Sequence, residues 1–125
     1  MTRKPSIAFN TLAGLMILAV VAAHGEVVSI VVPSNAAPRV EFGAEKLADA
    51  LRAVKLDAAI VDSESVSGRK IHLETPHDSA VGSEGFRFGL TGNDDIAVIS
   101  GDDSGTLYGC LELAGRIRSR KNAGH

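Results

Sequence analysis

Residues 96–109 read Ile-Ala-Val-Ile-Ser-Gly-Asp-Asp-Ser-Gly-Thr-Leu-Tyr-Gly, and this stretch decides the fold. Ile96 to Ser100 is a short apolar run of the kind that forms a strand. Gly101-Asp102-Asp103-Ser104-Gly105 turns the chain, and Leu107, Cys110, Leu111, Ala114 and Ile117 then recur at helical spacing. Asp103 or Ser104 is placed to cap that helix by accepting hydrogen bonds from its free first-turn amides. Arg116, Arg118, Arg120 and Lys121 gather at its far end, where cations meet the negative end of the helix dipole. The reading is a strand, a tight turn and a helix.

Working upstream, Gly85 to Thr91 alternates, with Phe86, Phe88 and Leu90 on one face opposite Arg87 and Thr91. Gly92-Asn93-Asp94-Asp95 joins it to the strand at Ile96, which predicts an antiparallel hairpin. Lys70 to Glu74 alternates as well, with Ile71 and Leu73 on one face and His72 pointing away from it. Ala58 to Asp62 is a further short strand, separated from Lys70 by a polar loop containing Gly68. Before it, Val40, Ala44, Leu47, Leu51 and Val54 mark an amphipathic helix, with Pro38 in its first turn and Ser34-Asn35 supplying turn and cap chemistry. Val27 to Val32 is β-branched and apolar on both faces, which predicts an interior strand covered on two sides. The order β-α-β-β-β-β-α defines an α+β class: a mixed sheet of about five strands with two helices packed on it.

The 125-residue chain is long enough for one domain. An α/β barrel alone takes about 250 residues, so these residues cannot contain one. Residues 1–25 read as a signal peptide. Arg3 and Lys4 precede an uncharged apolar run from Leu12 to Ala23, with small residues for cleavage after Ala23 or Gly25. That run is shorter than the ~20 residues of a membrane span, so no stable span is expected and the destination is secreted or periplasmic. Residues 26–120 form the domain and 121–125 a tail. Removing residues 1–25 takes away two positive charges and changes the net charge from −2 to 11 − 15 = −4. The basic residues do not line one helical face, so nucleic acid is not an expected partner. With Cys110 alone there is no internal disulfide, and its place on an apolar stripe marks a buried structural thiol.

Glycosidic cleavage needs two carboxyl groups flanking one bond. Asp102 and Asp103 are neighbours at a strand end and diverge, while Asp94 and Asp95 sit in a hairpin turn where short polar side chains serve the backbone. His24, His72, His77 and His125 lack the spacing of zinc ligands, and the four aspartates lack that of a calcium loop. Gly101 and Gly105 flank a strand-to-helix turn, but Asp102 and Asp103 between them would repel phosphate. No catalytic residue, metal ligand or cofactor is therefore assigned.

Three segments together carry a resemblance. They are Ile30-Val31-Val32-Pro33 leading to Glu45-Lys46-Leu47, the hairpin stretch Glu84-Gly85-Phe86-Arg87-Phe88, and the run from Ile96 to Gly109. Together they resemble the N-terminal accessory domain of bacterial α-glucuronidases and bacterial-type β-hexosaminidases. The resemblance implies a hexosaminidase-like N-terminal fold whose helices face a downstream catalytic barrel, the barrel supplying the acid and the nucleophile or base. It thus implies a non-catalytic domain of an exported carbohydrate-active hydrolase acting in polysaccharide breakdown such as xylan degradation. Its partner would be a barrel lying outside these residues, and any carbohydrate would be met through that barrel. Phe42 and Tyr108 fall away from the main stripes of their helices, on sides the resemblance assigns to barrel contact, and are the interface candidates. The alternative is an independent exported binding or interaction module reusing the fold.

Overall fold

The computed structural model describes residues 27–63 and 67–123. The expected signal peptide, and the end of the expected tail, lie outside the described residues. Five strands and two helices follow the expected order: β1 (Val27–Val31), α1 (Pro38–Ala53), β2 (Asp57–Val61), β3 (Lys70–His72), β4 (Phe86–Leu90), β5 (Ile96–Ser100) and α2 (Asp103–Ala123). A short 3-10 turn, Ser79–Val81, precedes β4. The strands form one mixed sheet in the order β2-β1-β3-β5-β4. All its pairings are parallel except the β4–β5 hairpin, where Phe86 faces Ser100 and Leu90 faces Ile96.

Both helices pack on one face of the sheet. Val28, Ile30, Ile71, Leu73 and Val98 meet Ala44, Leu47, Leu51, Cys110, Leu113 and Ile117 in a single buried cluster. Fully burying one Leu or Ile side chain contributes roughly 1.5–3 kcal/mol, and this layer accounts for most of the apolar burial. Phe86 and Phe88 border the cluster with ring centroids 5.6 Å apart, and the Arg116 guanidinium lies over Phe88. Among the described residues, the second face has no helix on it. Register places Val61, Val31, His72, Ala97 and Gly89 in one row across that face. Val31, His72 and Ala97 in this row are nonetheless buried.

Several local expectations shift by a residue or a face. Ser34 and Asn35 do form a turn, but the N-cap of α1 is Ala37, which is extended and has no side-chain cap. Pro38 at the first helical position explains this, since proline drives the preceding residue into extended backbone and has no N–H to satisfy. Helix α2 is capped by Asp102 rather than Asp103 or Ser104: the Asp102 carboxylate accepts from the Gly105 amide at 2.8 Å. On α2, Cys110, Ala114 and Ile117 are buried as expected, but Leu111 of the expected stripe is exposed and Leu113, outside it, is buried. The helix is turned so that Gly105 and Gly109 lie against the sheet side. A Cβ on Gly105 would come within 2.1 Å of the Gly85 carbonyl oxygen, and one on Gly109 within 2.6 Å of Val98. Leu90, expected on the core face, sits half exposed at the hairpin end. The helix also runs to Ala123, past the expected boundary at residue 120.

Candidate functional site

Two regions of the surface carry chemistry or shape beyond the core. The first is the outer side of the helix layer. Helices α1 and α2 approach closely at Gly43, where an added Cβ would stand 3.1 Å from the Cys110 Cβ and 3.4 Å from the Leu107 Cα. This close crossing turns the residues flanking Gly43 and Leu107 outward. Phe42 is 51% exposed, Tyr108 43% and Leu111 41%. Tyr108 and Leu111 stand three residues apart on α2 and so share a face. Lys46 lies 5.2 Å from the Phe42 ring centroid, a cation–π contact at the rim. Both sequence-named interface candidates are therefore solvent-facing, and Leu111, read as core, belongs beside Tyr108.

The second region is a cavity of about 400 Å³ on the helix-free face, bordered by Lys70, His72, Glu74, Asn93 and Asp95 among others. Alternation along β3 explains the cluster, because Lys70, His72 and Glu74 are two residues apart and project to one side. Asp95 enters from the hairpin turn. Its Oδ1 accepts the Lys70 backbone N–H at 3.2 Å, and its Oδ2 lies 3.6 Å from His72 Nε2. His72 Nδ1 lies 3.1 Å from Glu74 Oε2. The imidazole thus sits between two carboxylates. Glu74 Oε1 is shielded from solvent and has no hydrogen-bond partner among the described residues.

This cluster corrects one sequence reading. Asp95 was expected to serve its own turn, yet it is 4% exposed and reaches across to β3. The turn is held by Thr91 instead, whose Oγ1 accepts from the amides of Asn93 and Asp95, while Asp94 takes the left-handed backbone at φ 65°. His72 does point away from Ile71 and Leu73, as expected, but into a buried polar cluster. The legible signal was the Lys70-x-His72-x-Glu74 alternation, three ionisable side chains on one strand face.

The remaining acidic residues serve the fold. The Gly105 amide, then the Glu84 amide, donate to the Asp102 carboxylate and hold it below the usual carboxylate range. Asp103 pairs with His77 at 3.2 Å in an exposed contact. No group of three or more His, Cys, Asp or Glu among the described residues is arranged to hold a metal ion. Cys110 is buried, and desolvation pushes its thiol up to about 12. A thiol reagent at pH 8 is therefore expected to leave the folded chain unmodified and to label it fully in urea, because the reactive thiolate is scarce and covered. Rapid labelling without denaturant would refute the buried placement.

No protein-family model matches the chain, and no curated protein matches it. Its fold recurs in parts of two solved glycoside hydrolases. One is a GH138 enzyme targeting pectin rhamnogalacturonan II, similar over 74% of this chain at 24% identity with a TM-score of 0.63. The other is a GH115 4-O-methyl-α-glucuronidase with specificity for decorated arabinogalactans, similar over 71% of this chain at 20% identity with a TM-score of 0.57. In each case the chain spans 13% of the length of the larger protein. The five-stranded mixed sheet with its two helices is thus a unit found within glycoside hydrolases. No helix among the described residues is long and apolar enough to cross a membrane.

Proposed function

We propose that residues 26–120 act as a non-catalytic accessory domain of an exported carbohydrate-active hydrolase, of the α-glucuronidase kind. In this reading the domain follows a signal peptide and docks on a catalytic barrel through the outer helix layer around Phe42 and Tyr108. The observation carrying this reading is the recurrence of the fold as a small fraction of two much larger glycoside hydrolases. The placement of the carboxylates supports it. Glu74 and Asp95 flank one cavity, but the His72 ring occupies the space between them. A scissile bond must lie between the two carboxyl groups, and here it would collide with the imidazole.

Two measurements test the proposal. The chain is expected to release no chromophore from aryl-glucuronides or aryl-N-acetylhexosaminides above a buffer blank. Turnover that Glu74→Gln or Asp95→Asn abolishes would sink the accessory reading. For the docking surface, Phe42→Ser combined with Tyr108→Ser is expected to lower hydrophobic-dye fluorescence of the folded chain by about half or more, with circular dichroism unchanged, because exposed apolar clusters mark interfaces. An unchanged signal would remove those side chains as a docking surface.

A further inference from the structure

We propose that the sheet edge at β4 pairs with the β4 edge of a second copy of this chain, in an antiparallel seam with two-fold symmetry that joins both sheets into one. The hairpin decides which backbone groups are available. At its two ends the Thr91 amide donates to the Asp95 carbonyl oxygen at 2.8 Å, and the Gly101 amide to the Gly85 carbonyl oxygen at 3.1 Å. These bonds fix the alternation along the strand. Arg87 and Gly89 turn their N–H and C=O groups to β5, and Phe86, Phe88 and Leu90 turn theirs outward. β4 is the last strand of the sheet, and among the described residues no partner meets those outward groups. The opposite edge differs, because on β2 the Arg52 guanidinium donates to the outward Ala58 carbonyl oxygen at 3.1 Å. Exposed edges are ordinarily guarded by charge, proline or a bulge. β4 has no proline, its register is unbroken, and Arg87 is its one charged residue.

The strand is complementary to itself, and this identifies the occupant. Pairing its outward groups about a two-fold axis at Phe88 sets Phe88 against the second copy's Phe88, and Leu90 against the second copy's Phe86. Directly opposite residues of antiparallel strands point to one side of the sheet. These apolar pairs therefore meet on the helix side, where Leu90 is half exposed and Phe86 and Phe88 are only partly buried in the single chain. On the helix-free side the same register sets Arg87 against Gly89, which leaves room for the long side chain. Sliding the pairing toward Phe86 would set Arg87 against its own copy, a destabilising like-charge pair, and would leave Leu90 unpartnered. The cations near the axis are also compensated within the chain. Arg87 lies 3.7 Å from Asp78, and Arg116, over the Phe88 ring, lies 2.9 Å from Glu112.

Sedimentation velocity of the full chain over a dilution series tests the pairing, and the coefficient is expected to rise with concentration from monomer to dimer. Leu90→Lys sets a charge against the second copy's Phe86, and Leu90→Pro removes an outward N–H without touching the bonds to β5. Each is expected to weaken the dimer about tenfold or more, with circular dichroism unchanged. Phe42→Ser combined with Tyr108→Ser is expected to leave the dimer intact. In hydrogen exchange the amides of Phe86, Phe88 and Leu90 are expected to gain protection from dilute to concentrated samples, while Arg87 and Gly89, already bonded to β5, change little. A further sample contains an alternating Thr-Val peptide. A chain monomeric at every concentration, association unchanged in both Leu90 variants, or association lost in the Phe42 and Tyr108 double variant would each overturn the proposal. So would protection of the edge amides by the peptide in a chain that stays monomeric, which would give the edge to a strand of another protein. The Leu90 variants leave the outer helix layer untouched, so the accessory reading stands or falls separately.

Discussion

A chain carrying Gly105→Ala is expected to melt roughly 10 °C or more below the unaltered protein. The methyl group would be built 2.1 Å from the Gly85 carbonyl oxygen and 3.1 Å from the Ser100 Cβ. The first of these is backbone, which cannot swing aside as a flexible side chain does. The Gly85 segment is fixed in turn, because its carbonyl accepts the Gly101 amide at 3.1 Å and the Glu84 amide donates to Asp102. Overpacking a tight site costs typically 1–3 kcal/mol and occasionally more, and a backbone clash belongs at the upper end. For a domain of this size each kcal/mol shifts the midpoint by roughly 4–8 °C. Alanine is the better helix former, so propensity alone would predict the opposite sign. Gly101→Ala is expected to be no milder, since its Cβ would fall 1.9 Å from the Gly82 carbonyl oxygen. Thermal unfolding followed by circular dichroism decides the matter. A midpoint for Gly105→Ala equal to or above that of the unaltered chain would show that the loop from Gly82 to Gly85 does not press on the helix start.

Asp95→Ala is expected to destabilise by about 2 kcal/mol, because removing one member of a buried hydrogen-bonded set strands its partners. The Lys70 amide loses its acceptor and His72 loses the carboxylate beside Nε2. The site matters more than one hydrogen bond because the β3–β5 pairing is short. Only Ile71 with Ile96 and His72 with Ala97 stand in register there. The seam is lengthened by groups beyond the ladder: Asp95 at one end, and at the other the Thr75 hydroxyl on the Val98 carbonyl and the Asp78 amide on the Ser100 carbonyl. Urea unfolding of Asp95→Ala and Asp95→Asn measures the effect. Asparagine keeps an acceptor for the Lys70 amide, so it is expected to recover part of the loss. Stability of both variants within about 0.5 kcal/mol of the unaltered chain, the range of ordinary surface changes, would show that the Asp95 contacts add nothing.

The element order was legible because each element is short and its periodicity local. Strict alternation from Phe86 to Leu90 and the Asn-Asp turn chemistry identified the hairpin, and the register confirms it. What escaped were features set by distant neighbours. The facing of α2 depends on glycines that fit under Gly85 and Val98, and a hydrophobic stripe does not register a glycine as a contact residue. Apolar spacing therefore marks Leu111, whereas the buried residue is Leu113. The role of Asp95 escaped for the converse reason. An aspartate in a hairpin turn has a sufficient local explanation, whereas its actual partner, Lys70, is 25 positions away. The outward placement of Phe42 and Tyr108 was readable from their positions off the stripes, but what meets them was not.

The brevity of the β3–β5 seam has a kinetic consequence. On one side of it stand β1, α1 and β2, consecutive in sequence; on the other stand the hairpin and α2. The seam can form only when both units exist, since it joins residues from each, and it contributes few contacts until they dock. The two units also meet through the packing of α1 on α2, and Asp95 stands apart from that packing, so its seam contacts are expected to form late in folding. In stopped-flow experiments Asp95→Ala should then accelerate unfolding and leave the refolding rate almost unchanged, whereas a truncation inside α1 such as Leu47→Ala should slow refolding.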